Sequence, residues 1–119
     1  MSDEFIIVAT KEINEEITGI SEILNSCNDD DAISNKSTNL QKHTHKIKGL
    51  APMMGKEGLG DLAALHDKIL KQIISGESFS GFFKILSDSI PEMNRTMNEA
   101  DYDLGPIIDK TNHILSNPK

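Results

Sequence analysis

A histidine, a lysine and a glycine lie close together near the middle of this 119-residue chain, at positions 45, 48 and 49. On a helix, Lys48 and Gly49 are one turn beyond His45 and therefore flank its imidazole. An imidazole can act as a base, a nucleophile or a metal ligand. A glycine inside a helix costs roughly 1 kcal/mol relative to alanine, and its missing Cβ leaves room for another protein. The spacing therefore predicts a histidine that a partner can approach closely.

Apolar residues recur at helical spacing along the whole chain, and no strand-like alternation of useful length interrupts them. We predict helices over about 3–27, from 34–37 to 54, from 56 to about 74, from about 79 onward, and over about 106–115. Pro91 lies inside the fourth of these, so it either kinks that helix or begins a new one. The predicted fold class is all-α, an antiparallel up-down four-helix bundle with a short additional C-terminal helix. The length fits a single domain over residues 1–119.

The segment around His45 resembles the His-x-x-Lys-Gly signature of histidine-containing phosphotransfer domains, here His45, Lys48 and Gly49. The similarity continues through Met54-Gly55 and into the tract Leu59–Asp67. That tract is similar to the N-terminal phosphotransfer domains of CheA-type chemotaxis kinases. Helix order and lengths agree with the family over the rest of the chain.

The resemblance implies a role for four residues. His45 would accept a phosphoryl group on Nε2, and Lys48 would offset the added charge of about −2. Gly49 would give the partner clearance. Asp67, from the next helix, would hydrogen-bond Nδ1 of His45 and orient the ring. The family commonly has Glu at this position, so the side chain of Asp67 is one methylene shorter.

The formal net charge of −7 argues against nucleic acid or an anionic membrane surface as a partner. Between Ala32 and Lys56 there is nevertheless no acidic residue. The resemblance implies that this basic stretch meets the acidic pocket of a response-regulator receiver domain, where complementary charge would steer the encounter. The lysines of the stretch are Lys36, Lys42, Lys46, Lys48 and Lys56. We expect the docking surface to consist of Thr38, Gln41, Lys42, Lys48, Gly49 and Pro52, which share the His45 side.

The implied function is that of a phosphorelay intermediate without autonomous catalysis. The ATP-binding domain of a histidine kinase, in trans or on a longer parent chain, would phosphorylate His45, and a receiver aspartate would then take the phosphoryl group. No bound cofactor is expected, because Mg²⁺ and ATP belong to the partner domains. We expect the protein to be a monomer. We expect it in the cytoplasm, since there is no signal-peptide pattern and no apolar run of the ~20 residues that span a bilayer.

Two other functions are compatible with the residues. The chain could be a non-catalytic helical-bundle interaction module that keeps the histidine motif without using it. A metal- or ligand-binding bundle is the weaker alternative, because His43 and His45 are two residues apart and point to different helix faces. We expect His43 and His66 to be partly or fully buried histidines with ordinary polar partners, and His113 to be exposed.

Overall fold

Six helices make up most of the computed structural model, which describes residues 2–119. They are α1 (Asp3–Leu24), α2 (Asp30–Asn35), α3 (Ser37–Met53), α4 (Glu57–Ile74), α5 (Phe82–Asn98) and α6 (Gly105–Leu115). In this part of the chain the one strand-like pairing is an isolated bridge between Phe79 and Pro118. The predicted all-α class is confirmed.

A hydroxyl and a carboxylate side chain cap the N-termini of the first two helices. The hydroxyl of Ser2 accepts a hydrogen bond from the backbone N–H of Phe5 at 3.1 Å and caps α1. The sequence predicts only a turn at residues 28–31, but Asp29 accepts from the N–H of Ala32 at 2.9 Å and starts α2. A side chain that competes for backbone hydrogen bonds can begin a helix as readily as a turn.

Helices α3 and α4 form a tight antiparallel hairpin and share the most extensive contact in the molecule. The chain turns at Gly55, whose φ is +84°, and the N–H of Lys56 donates to the carbonyl of Ala51 at 2.9 Å. Just beyond the turn the two backbones approach closely, because a Cβ on Gly60 would lie only 2.7 Å from Cγ of Pro52. This hairpin fixes the register between the face of α3 that carries His45 and the face of α4 that carries Asp67.

The remaining helices close the core around this hairpin. Helix α1 packs against α3 and α5. Helix α6 packs against α4 and α5, and those two helices contact each other only slightly. The predicted short C-terminal helix is α6, and its contacts with α4 and α5 make it part of the wall around the core. Helix α5 runs through Pro91 without interruption, so a new helix does not begin there. The core is mostly aliphatic, and it also contains Cys27, Met93, Phe79 and Phe82.

Candidate functional site

His45 lies on an open face of α3. Its side chain is 62% exposed, and that of Lys48, one turn later, is 43% exposed. A Cβ on Gly49 would meet no atom within 4 Å, so the packing of this chain does not require a glycine there. The surface beside the imidazole is free for a partner, in agreement with the spacing argument.

Asp67 is the buried carboxylate behind this face, with 2% of its side chain exposed. Its Oδ1 lies 3.9 Å from Nδ1 of His45, which is too far for a hydrogen bond. Oδ1 instead accepts a hydrogen bond from Nε2 of Gln41 at 2.7 Å. The structure thus brings Asp67 beside His45 without forming the expected bond, because the short aspartate side chain is held by Gln41.

Two ammonium groups surround the other oxygen of Asp67. Nζ of Lys71 lies 3.2 Å from Oδ2, and Nζ of Lys48 lies 3.6 Å from it. Burial by itself would raise the pKa of Asp67, but the hydrogen bond from Gln41 and the charges of Lys71 and Lys48 outweigh it and hold the pKa below its usual value. Asp67 is therefore an ionised carboxylate at neutral pH.

Lys71 is a member of this cluster that the sequence analysis missed. It follows Asp67 by four residues on α4, which places the two side chains on one helix face. The i, i+4 spacing is the signal that could have identified it. With Lys48 and Lys71 against one carboxylate, the site has a local excess of positive charge while His45 is neutral.

The predicted docking residues divide into two groups. Thr38, Lys42 and Pro52 are exposed, whereas Gln41 is half-buried and engaged with Asp67. Lys56 does not contribute to the basic surface in the expected way, because its Nζ donates to the carbonyl of Thr96 at 2.7 Å at the end of α5. The basic face of α3 thus consists of its exposed lysines, Lys42, Lys46 and Lys48, and Lys36 directly precedes the helix.

The other histidines have the expected settings. Nδ1 of His43 lies 2.6 Å from Oε1 of Glu16 on α1. His66 is fully buried, and its Nε2–H donates to the hydroxyl of Ser89 at 3.1 Å, since that hydroxyl donates onward to the carbonyl of Ile85. Burial lowers the pKa of His66 to about 4, so the ring is neutral at physiological pH. His113 is exposed.

Two concave surfaces lie away from His45. One is along α1 around Thr10 and Asn14, and the other is between α5 and α6 around Ile85 and Ile114. Within residues 2–119, no group of three or more His, Cys, Asp or Glu side chains is arranged to hold a metal ion. None of the helices in that range combines the length and apolarity needed to cross a membrane. The face around His45 is thus open and basic, which suits contact with another protein better than enclosure of a small molecule.

Comparison with protein-family models, with curated proteins and with solved structures finds no match to this chain. The likeness to phosphotransfer domains therefore depends on the His45-x-x-Lys48-Gly49 motif, the tract that follows it and the order of the helices.

Proposed function

We propose that this chain is a histidine phosphotransfer domain in which His45 carries a phosphoryl group between a histidine kinase and a response-regulator receiver domain. Helices α1, α3, α4 and α5 correspond to the antiparallel up-down four-helix bundle of that family, and α6 to its additional C-terminal helix. The observation that carries the proposal is the exposed imidazole of His45 on an open helix face, with Lys48 and the ionised Asp67 beside it.

The chemistry requires a neutral imidazole with its lone pair on Nε2. This nitrogen attacks the γ-phosphorus of ATP bound to the kinase domain, an N–P bond forms, and the P–O bond to the departing ADP breaks. Phosphorylation adds a charge of about −2. Lys48 and Lys71 stand close enough to offset it, because both ammonium groups already face the carboxylate next to the ring. Mg²⁺ and ATP belong to the partner domains.

The partner surface follows from the exposed part of α3. Its lysines give a net acidic chain one basic face, and the open position at Gly49 lets a receiver domain bring its aspartate to His45. Attraction between this face and an acidic receiver pocket would speed the encounter and set its register more than it would raise affinity. Under this proposal the protein is a monomeric component of a cytoplasmic phosphorelay.

The test is phosphoryl transfer from a chemotaxis-type kinase domain with labelled ATP, comparing the wild type with His45→Gln. His113→Gln is the matched control, because that histidine is exposed on α6 away from the site. We expect acid-labile, base-stable label on the wild type and the control, and none on His45→Gln. A folded wild type that stays unlabelled with several kinase donors would favour the non-catalytic interaction module instead.

A further inference from the structure

A second histidine on α3 stands in the same kind of setting as His45. Lys46 follows His43 by three residues, as Lys48 follows His45. Glu16 on α1 faces His43, as Asp67 on α4 faces His45. Helix α3 thus carries two centres, each composed of an imidazole, a lysine one turn later and a buried carboxylate from a neighbouring helix.

The contact at His43 is the tighter of the two. Its Nδ1 lies 2.6 Å from Oε1 of Glu16, whereas Nδ1 of His45 lies 3.9 Å from Asp67. Oε2 of Glu16 lies 3.4 Å from Nζ of Lys46. Burial by itself would raise the pKa of Glu16, but the hydrogen bond with His43 and the charge of Lys46 outweigh it and lower the pKa. An ionised carboxylate can only accept, so Nδ1 of His43 donates the proton, and in the neutral ring Nε2 carries the lone pair.

The ring of His43, with its second nitrogen Nε2, is partly open to solvent. The ring lies over Gly19 of α1, where an added Cβ would stand 2.5 Å from Cε1 and 2.8 Å from Nε2. The side chain is 28% exposed. In residues 2–119, Nδ1 of His66 is the one buried side-chain nitrogen or oxygen that lacks a partner. Nε2 of His43 also lacks a hydrogen-bond partner in that range, but it is not among the buried atoms. It therefore reaches solvent.

We propose that His43 is a second phosphoryl-accepting histidine of this domain, activated by Glu16 and charge-compensated by Lys46. The Nε2 lone pair forms an N–P bond to the donor, the donor's bond to phosphorus breaks, and its leaving group departs. The proton on Nδ1 stays hydrogen-bonded to Glu16, whose negative charge balances the ring. Because the site is only partly open, we expect it to favour small phosphoryl donors over a docked domain. The proposal does not depend on phosphorylation of His45.

Phosphoramidate is the probe, because it phosphorylates histidine without a kinase. Its P–N bond breaks as the N–P bond to the imidazole forms, and ammonia leaves. We expect intact mass at neutral pH to show two phosphoryl groups on the wild type, one on His43→Gln, one on His45→Gln and none on the double variant. Long-range ¹H–¹⁵N spectra of the wild type assign the modified rings, so the result does not rest on the variants alone.

The two centres give separable outcomes. Label on His45 alone overturns the second site and leaves the proposed function intact. Label on His43 alone supports the second site and removes His45 as the acceptor. If exposed His113 reacts as fast as His43, simple accessibility explains the labelling and the proposal fails.

Glu16→Gln tests the activation. We expect phosphorylation of His43 to be about tenfold slower, because that factor corresponds to the energy of about one charge-assisted hydrogen bond. The rate at His45 should be unchanged. Circular dichroism checks that the variant is folded. An unchanged rate at His43 in a folded variant would remove the role assigned to Glu16.

Discussion

At the scale of single residues, Asp67 lies beside His45 but is hydrogen-bonded to Gln41. The motif His45-x-x-Lys48-Gly49 and the position of Asp67 on the next helix could be predicted from the sequence. The bond between Gln41 and Asp67 could not, because those residues are 26 positions apart and their pairing depends on the register of the α3–α4 hairpin. Sequence reasoning therefore placed the carboxylate near His45, whereas its hydrogen bond from Gln41 is visible only in the structure.

Replacing Gln41 with leucine should change the reactivity of His45. The variant removes the shorter of the two hydrogen bonds to Oδ1 of Asp67 and leaves the 3.5 Å contact with Oγ1 of Thr44. Oδ1 can then move toward Nδ1 of His45 from its present 3.9 Å. We expect phosphoramidate to modify His45 up to about tenfold faster, since a carboxylate on Nδ1 raises the basicity of Nε2. Loss of the hydrogen bond to a charged group should lower the free energy of unfolding by about 1.5–3 kcal/mol.

The matched control is Thr38→Val, on the same side of α3 but exposed. It should leave both the rate and the stability nearly unchanged. A rate at His45 that stays the same or falls in Gln41→Leu would mean that Gln41 does not hold Asp67 away from the ring.

At the scale of helices, two glycines of the α3–α4 hairpin have opposite roles. Gly49 faces open space, whereas a Cβ on Gly60 would collide with Pro52. We expect Gly49→Ala to raise the free energy of unfolding by about 1 kcal/mol, because alanine is the better helix former. We expect the same change to slow phosphoryl transfer from the kinase domain by about tenfold or more, since the added methyl group displaces the reacting atoms.

Gly60→Ala is the comparison. Thermal unfolding should show it to be destabilised by about 1–3 kcal/mol through overpacking against Pro52. If Gly49→Ala is fully active, the clearance assigned to Gly49 is wrong.

The start of α5 depends on a residue from another helix. Gly81 and Phe83 donate their backbone N–H groups to the carboxylate of Asp30 at 2.9 and 2.7 Å. We expect Asp30→Ala to lower the free energy of unfolding by about 1–2 kcal/mol, the usual effect of losing a helix cap. Asp31→Ala, next to it on α2 and exposed, should have little effect. If chemical denaturation shows the same loss of unfolding free energy for both variants, removal of a negative charge, and not loss of the cap, is responsible.

The sequence predicted the long helices well because each has a clear apolar face, but it missed α2. That helix is six residues long, and its first turn contains acidic residues that also favour turns. The cap from Asp30 to α5 joins residues 51 positions apart, which no local pattern reveals. Whether a long helix forms is thus a local property here, whereas the start of α5 is set by a tertiary contact.

At the scale of the whole molecule, α6 completes the core between α4 and α5. The sequence predicted this helix but not its part in the wall, since periodicity shows which face is apolar and not which neighbours cover it. The charge distribution belongs to the same scale. An acidic chain keeps one basic face on α3, and this contrast was visible in the sequence as a stretch without acidic residues.

The buried His66 should give the whole molecule a distinctive pH dependence. Its pKa is about 4 in the folded state and 6.5 in the unfolded chain, so between these values the unfolded chain binds a proton that the folded one does not. The free energy of unfolding should therefore fall as the pH drops from about 6.5 to 4, by about 3 kcal/mol. Asp67 acts in a separate window, because its pKa lies below 3.8 and its contribution is lost only at lower pH.

Urea denaturation at several pH values measures this effect. His66→Gln keeps a donor for the hydroxyl of Ser89 and cannot titrate, so its unfolding free energy should lack the decline between pH 6.5 and 4. A wild type and a variant with the same pH profile would show that His66 is not the responsible group.

The most direct measurement is a long-range ¹H–¹⁵N spectrum of the ¹⁵N-labelled protein before and after phosphorylation by a kinase domain with ATP. It reports which ring nitrogen of which histidine has formed an N–P bond. We predict that the Nε2 resonance of His45 shifts and that the shift reverses when a receiver domain and Mg²⁺ are added. An unperturbed His45 ring in a phosphorylated sample would contradict the account.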